Sequence, residues 1–165
     1  MAVTGVETVA AGMMLATSLA QADREFTLGL GLDDLSRCGN LIIVGGPSAN
    51  HEGRRLYERR LQGRDLVEYD ESGRWSMGNT TITEAEEGLV VWCKNPDEPD
   101  KRILWVSGLG AHGTTGAMHY ALTKFTGDET PARIARADEF AIFTRGVLGG
   151  SDMIEDADYV QGTTF

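Results

Sequence analysis

The sequence predicts an α/β domain built as a three-layer sandwich, in which a mostly parallel central sheet carries an additional antiparallel hairpin portion. The main observation is that a strand, a glycine turn and a helix follow one another twice. Leu41–Val44 leads into Gly45-Gly46-Pro47, and a strand within Arg102–Lys124 leads into a second glycine-rich turn. Alternation of strands and helices is typical of parallel sheets covered by helices.

The N-terminal part predicts a helix followed by a short strand. Apolar residues between Glu7 and Ala22 recur at three- and four-residue steps, and Phe26–Leu30 is typical of a strand. Ala20-Gln21-Ala22 has the A-x-A pattern of a signal-peptide cleavage site, but no Lys or Arg precedes it, so the positive region of a secretory signal is missing. No apolar run is long enough to span a membrane. We therefore expect a cytoplasmic protein.

The first glycine turn follows a continuous apolar run, Leu41–Val44, which favours a strand buried on both faces of a parallel sheet. Ser48 or Asn50 could cap the next helix, and Gly63 is placed to end it. This helix carries four arginines, for which we expect a solvated face paired with Glu52 and Glu58; the alternative is an anion-binding face. The four are Arg54, Arg55, Arg59 and Arg60.

Short polar and apolar segments in Leu66–Thr83 indicate antiparallel hairpin strands appended to the sheet, with Trp75 and Met77 on one face. Gly88–Lys94 and Ile103–Val106 are further strands. Because only a short turn separates them, we expect them to pair as a hairpin rather than through a helical crossover.

The C-terminal part predicts a short helix and two strands. Thr130–Ala137 begins with a proline at its second position, Glu139–Val147 is apolar and rich in aromatic and β-branched residues, and Tyr159–Phe165 is expected to form a last edge strand.

The second glycine turn has Gly108, Gly110 and Gly113 in GxGxxG spacing. Glycines let backbone N–H groups approach a phosphate, and the helix N-terminus that follows carries partial positive charge. However, the turn comes late in the chain. A dinucleotide site also needs an acidic residue at the end of a strand about 20 positions further on, and this sequence has none there. The alternative is a structural turn in which glycines let a strand enter a closely packed helix.

The carboxyl ends of parallel strands meet at one edge of a sheet, so both glycine turns are expected to line one ligand site there. His112 is the ionisable side chain of the second turn and could contact an anion or transfer a proton; an exposed loop histidine is the alternative. The expected ligand-binding residues are Gly45, Gly46, Ser48, Asn50, Ser107, Gly108, Gly110, His112, Gly113, Thr114 and Thr115.

Composition excludes several classes of function. The 165 residues include 25 acidic and 15 basic side chains, a net charge of −10, which disfavours binding to nucleic acids or anionic membranes.

Cys38 and Cys93 have no CxxC spacing and are expected to be buried, reduced thiols. The three histidines have no ligand spacing with cysteines or carboxylates, so no metal site is predicted. The sequence assigns no cofactor.

Several segments together resemble a known kind of α/β domain. Asn40–Asn50, Lys94-Asn95-Pro96, Ile103–Gly110 and Gly113–Ala117 resemble domains attached to bacterial helix-turn-helix regulators and segments of archaeal surface-layer proteins, over about Thr4 to Val147. The order of elements is also similar to flavodoxin-like and TIR-like folds, including deoxyribosyltransferases. This chain has no helix-turn-helix segment, so DNA binding is not implied.

These observations favour a non-catalytic sensor or interaction domain that binds a small anionic ligand, with nucleotides as one class, at the glycine-turn edge. One alternative is a TIR-like or deoxyribosyltransferase-like enzyme acting on nucleotides, with Glu52, Glu58 or Asp70 as candidate carboxylates. Another is a structural module of surface-layer type. Residues 1–165 are expected to form one domain, which could belong to a longer protein, adjoin other domains or form homo-oligomers.

Overall fold

The computed structural model of the chain describes residues 40–63, 66–125 and 128–165. The helix expected at Glu7–Ala22, the strand expected at Phe26–Leu30, and Cys38 lie outside these residues. In chain order the elements are β1 (Leu41–Val44), α1 (His51–Leu56) with a π-helical turn (Tyr57–Leu61), β2 (Glu68–Tyr69), β3 (Trp75–Met77), β4 (Thr80–Thr81), β5 (Glu87–Lys94), β6 (Arg102–Gly108), α2 (Ala111–Thr123), α3 (Ala132–Ala135), β7 (Phe140–Leu148) and β8 (Ile154–Thr164).

The main sheet has five described strands in the order β1-β6-β5-β7-β8, and its strand directions correct the predicted fold class. Only the β1–β6 pair is parallel, whereas the β6–β5, β5–β7 and β7–β8 pairs are antiparallel. The prediction of a mostly parallel central sheet covered by helices, in the Rossmann-like or flavodoxin-like manner, is therefore wrong.

Short connections explain the antiparallel strands. The β5–β6 turn is closed by hydrogen bonds from Asn95 N–H to the Lys101 carbonyl, 2.9 Å, and from Lys101 N–H to the Glu98 carbonyl, 2.8 Å. The β7–β8 turn is closed by Gly149 N–H and the Met153 carbonyl at 2.8 Å. Neither connection has room for a crossover helix, which parallel neighbours would need. The expected β5–β6 hairpin is confirmed.

The strand predicted at the first glycine turn is parallel to its neighbour, but it is not buried on both faces. In the described part of the chain β1 lies at one edge of the sheet, with Ile43 buried and Ile42 38% exposed. The continuous apolar run therefore indicates that this segment forms a strand, but it does not indicate that the strand lies in the centre of the sheet.

Each face of the sheet packs against its own hydrophobic cluster. Alternation along β5 sends Leu89 and Val91 to the first face and Val90 to the second. The first cluster receives Leu56 and Leu61 from α1 and the π-helical turn. The second receives Ala117, Met118 and Tyr120 from α2 and Ile134 from α3.

The segment Leu66–Thr83 forms a separate three-stranded antiparallel sheet, β2-β3-β4, rather than an extension of the main sheet. Trp75 and Met77 share its buried face, as expected, and the Trp75 ring packs against Trp105 at 5.2 Å between ring centroids. Gln161 on β8 ties the small sheet to the main one, because its Nε2 donates to the Met77 carbonyl at 2.9 Å. The small sheet thus covers part of the first face.

Cys93 is a free thiol buried in the first cluster, as expected for this residue, and burial raises its pKa to about 12. None of the helices formed by residues 40–63, 66–125 and 128–165 has the length and apolar character needed to cross a bilayer.

Candidate functional site

The structure brings the two glycine turns together at one edge of the main sheet. β1 and β6 are parallel neighbours that end side by side, with Val44 in register with Val106. Beyond the strands, Gly45 N–H donates to the Val106 carbonyl at 2.8 Å. A Cβ atom placed on Gly46 would lie 3.0 Å from Ser107 Oγ. The segments Gly45–Asn50 and Ser107–Thr115 therefore adjoin, and we call the edge of the sheet that they form the switch-point crevice.

The chain leaves these two strands toward opposite faces of the sheet. After β1 it enters α1, whose Leu56 lies in the first cluster. After β6 it enters α2, whose Ala117 and Met118 lie in the second. Neighbouring parallel strands whose connections diverge in this way form a topological switch point, the position at which open α/β sheets bind ligands.

Structural contacts account for two predicted ligand residues of the first turn. Gly45 has φ +106°, a conformation that favours glycine, and its carbonyl accepts a 2.8 Å hydrogen bond from Trp105 Nε1. Asn50 Oδ1 accepts from the N–H groups of Glu52 and Gly53, at 2.9 and 3.2 Å, while Nδ2 donates to the Val44 carbonyl at 3.0 Å. Asn50 is thus the cap of α1.

Close packing accounts for two glycines of the second turn. A Cβ atom on Gly108 would lie 2.3 Å from the Thr114 nitrogen, and one on Gly113 would lie 2.1 Å from the Glu87 carbonyl oxygen. Gly113 N–H donates to the Ala85 carbonyl at 2.8 Å, so this amide serves the fold. Gly108 lets α2 approach β6 and Gly113 lets it approach β5, which is the structural alternative considered for the GxGxxG pattern.

The start of α2 retains groups that the fold does not use. Gly110, the N-cap residue, has no side chain to accept a hydrogen bond from the first turn. Among the described residues, the N–H groups of Ala111 and His112 have no hydrogen-bond acceptor. The helix has 13 residues, so its N-terminus carries partial positive charge beside these donors. The half-buried His112 and Thr115 lie in the same turn, whereas the Thr114 hydroxyl donates to the Gly110 carbonyl.

The side chain of Ser107 carries a buried polar atom at the crevice that forms no hydrogen bond. The residue is fully buried, and its Oγ has no hydrogen-bond partner, although it lies next to Gly46. A buried hydroxyl without a partner loses its hydration, so native proteins usually satisfy such groups with protein, water or a ligand.

The arginines that follow the first turn are mostly paired. Arg55 and Arg59 share Asp97, at 2.6 and 2.5 Å, and Arg60 pairs with Glu139. Arg55 also reaches Glu52 at 3.5 Å, so the expected pairing with Glu52 is observed for this one residue.

Arg54 differs from the other three arginines, because within residues 40–63, 66–125 and 128–165 it forms no ion pair. Its Nε donates to the Pro47 carbonyl at 3.1 Å. This hydrogen bond holds the guanidinium against the first glycine turn, and Arg54 as a whole is exposed.

A groove of about 530 Å³ adjoins the crevice, and we call it the tyrosine groove. Its lining residues are Pro47, Ser48, Arg54, Tyr57, Glu58, Gln62 and Tyr69–Gly73. Pro47 and Ser48 belong to both the groove and the crevice. The sequence did not predict this groove, because its walls come from a turn, a helix and a hairpin whose packing is decided in three dimensions. The only feature of the sequence that pointed toward this groove was the group of arginines that follows the first glycine turn.

Comparison of the chain with family models, with curated proteins and with solved structures finds no match. The resemblances stated from the sequence therefore stay predictions. In the part of the chain that the structure describes, no three His, Cys, Asp or Glu side chains are grouped so that they could hold a metal ion.

Proposed function

We propose that this chain is a non-catalytic binding domain for a small anionic ligand, with nucleotides as the first class to examine. The ligand binds at the switch-point crevice, which the start of α2, His112 and Ser107 border. A cytoplasmic location and a role as the sensor or interaction part of a larger assembly belong to the same proposal.

The observation that carries the proposal is the buried, unpartnered hydroxyl of Ser107 at a topological switch point. The same segment continues into a 13-residue helix, whose first turn has two unused backbone N–H groups and partial positive charge. Most other charges in this acidic chain repel an anion, so binding depends on these local groups.

The structure offers less support for the carboxylates that were considered as catalytic groups acting on a nucleotide. Glu52 is paired with Arg55. Asp70 Oδ1 accepts hydrogen bonds from the Ser72 hydroxyl, 2.6 Å, and from Arg74 N–H, 2.9 Å, and these bonds hold the pKa of Asp70 below its usual value. An Asp70 carboxylate that stays ionised is a poor general acid. We therefore favour binding over catalysis.

Thermal shift with pyrophosphate, AMP and ADP tests the proposal. A ligand at 100 times its dissociation constant adds about 2.7 kcal/mol of stability, which raises the melting temperature of a chain of this size by roughly 5–10 °C. Ser107→Ala removes the unpartnered hydroxyl, so we expect it to abolish most of the ligand-induced shift while leaving the unliganded protein at least as stable.

Thr144→Val is the matched control. Thr144 Oγ1 is also buried without a partner, but Thr144 lies on β7, separated from β6 by β5. This variant should keep the full ligand-induced shift. The proposal fails if no anion raises the melting temperature, or if Ser107→Ala responds as the unmodified protein does. Release of free adenine from AMP or ADP during incubation would favour the enzymatic alternative.

A further inference from the structure

The tyrosine groove begins where the switch-point crevice ends, which bears on the size of the ligand. Pro47 and Ser48 line the groove and also lie in the first glycine turn. The groove is open to solvent, and its volume of about 530 Å³ is larger than a single phosphate needs. A ligand anchored in the crevice by a phosphate would therefore extend its remaining part into the groove.

Arg54 lies at the junction of the two spaces and is oriented for an anion. The hydrogen bond from Nε to the Pro47 carbonyl fixes the guanidinium plane against the turn that borders the crevice. In the described chain Arg54 forms no ion pair, whereas Arg55, Arg59 and Arg60 each pair with a carboxylate. A fixed guanidinium with free terminal N–H groups binds phosphate or carboxylate through charge-assisted hydrogen bonds.

Carboxylates also line the groove. Glu58 lies one turn after Arg54, and Asp70 and Glu71 lie in the β2–β3 turn, so three carboxyl groups belong to the lining; the hydrogen bonds to Asp70 favour its ionised form. Carboxylates accept hydrogen bonds from hydroxyl groups and repel a second anion. Such a lining favours a neutral, hydroxyl-rich group over a second anionic group.

Two tyrosines complete the lining of the groove. The rings of Tyr57 and Tyr69 lie 6.0 Å apart at 68°, and the Tyr57 hydroxyl accepts a 2.9 Å hydrogen bond from Tyr69 N–H. This contact ties the β2 strand to the π-helical turn and holds both rings in place. Partly exposed aromatic rings of this kind pack against the apolar face of a sugar or against a base.

From this arrangement we propose that the tyrosine groove binds the sugar of a phosphorylated sugar, either free or within a nucleotide, and that Arg54 contacts its phosphate. This inference rests on the proposed function, because the phosphate occupies the crevice. It goes further in naming the ligand class and in assigning Arg54, Asp70 and Tyr69 to recognition.

Titration calorimetry with inorganic phosphate, ribose 5-phosphate and AMP tests the inference. Ribose 5-phosphate should bind about 10-fold or more tightly than inorganic phosphate, because the sugar adds contacts in the groove. Arg54→Gln should weaken ribose 5-phosphate by about 10- to 100-fold, the usual effect of losing a charge-assisted hydrogen bond. Arg59→Gln removes an arginine that pairs with Asp97 instead, and should leave the affinity unchanged.

Asp70→Asn separates recognition of the sugar from recognition of the phosphate. The asparagine oxygen can still accept from Ser72 and Arg74, so the turn is kept. We expect weaker binding of ribose 5-phosphate with unchanged binding of inorganic phosphate. AMP binding more tightly than ribose 5-phosphate would identify the ligand as a nucleotide, and equal affinities would identify a sugar phosphate.

The failures of the two proposals are distinguishable. If inorganic phosphate binds and ribose 5-phosphate binds no more tightly, the groove inference is overturned and the crevice remains an anion site. If none of the three ligands binds, both proposals are overturned. If Arg54→Gln and Arg59→Gln weaken ribose 5-phosphate equally, the assigned role of Arg54 is overturned.

Discussion

Gly113 lies where the backbone of α2 touches the backbone of β5, and no other residue fits there. Its position in a GxGxxG pattern was consistent with a phosphate-binding turn and with a packing turn, since both need close backbone approach. The contact with the Glu87 carbonyl supports packing. By contrast, the capping role of Asn50 could be predicted from its place between a glycine turn and a helix.

We expect Gly113→Ala to destabilise the protein by about 1–3 kcal/mol, because the added methyl group forces α2 away from the sheet. Urea unfolding measures the change as a lower midpoint. Gly150→Ala is the control, since nothing lies within 4 Å of a Cβ atom at Gly150. Equal midpoints for the two variants would contradict a packing role for Gly113.

At the scale of elements, the turn before β5 depends on one buried carboxylate. Glu87 Oε2 accepts hydrogen bonds from the N–H groups of Thr83 and Glu84, at 2.7 and 3.0 Å, and Oε1 pairs with Arg145 on β7. Burial raises the pKa of Glu87, but the hydrogen bonds from Arg145, Glu84 and Thr83 outweigh it and leave the pKa below its ordinary value of 4.5. Glu87 thereby joins the turn to the neighbouring strand.

Glu87→Gln should lower the free energy of unfolding at pH 7 by about 1–3 kcal/mol, since the amide cannot replace every bond of the carboxylate. A carboxylate whose pKa is lower in the folded than in the unfolded protein stabilises the fold at pH values above the unfolded-state pKa. This stabilisation is lost as the pH falls through the folded-state pKa. The difference between the two proteins should therefore shrink below pH 4.5.

Unfolding measured between pH 3 and 7 checks this expectation, with Glu68→Gln as an exposed control. A difference between Glu87→Gln and the unmodified protein that stays constant over this range would contradict it.

At the scale of the whole molecule, one sheet separates two hydrophobic clusters and joins them through shared strands. Phe143 on β7 faces the first cluster, and the next residue toward the N-terminus, Ile142, faces the second. A change in either cluster is therefore transmitted through the same backbone. That residues 1–165 act as one unit stays a prediction, and this arrangement supplies a test of it.

We expect Ile142→Val to lower the stability of both clusters together by about 0.5–1.5 kcal/mol. In a Trp92→Phe background the fluorescence reports Trp75 and Trp105, which lie in the first cluster, whereas Ile142 lies in the second. Their unfolding midpoint should fall by the same amount as the midpoint from circular dichroism. Met153→Ala, at a 66% exposed position, should change neither. A fall in only one signal would mean that the clusters unfold separately.

The sequence by itself determined where most described strands and helices lie, that β5 and β6 form a hairpin, and that two glycine turns end strands. These features depend on local patterns of apolar residues, turn residues and connection length. Strand direction across the sheet, the role of the glycines and the tyrosine groove were decided only by the tertiary structure. Antiparallel central strands covered on both faces carry the same apolar pattern as parallel ones, and the groove needs walls from distant segments. The switch-point crevice depends on both, because each of its turns could be predicted from the local sequence, whereas the contact between the turns is decided by the tertiary structure.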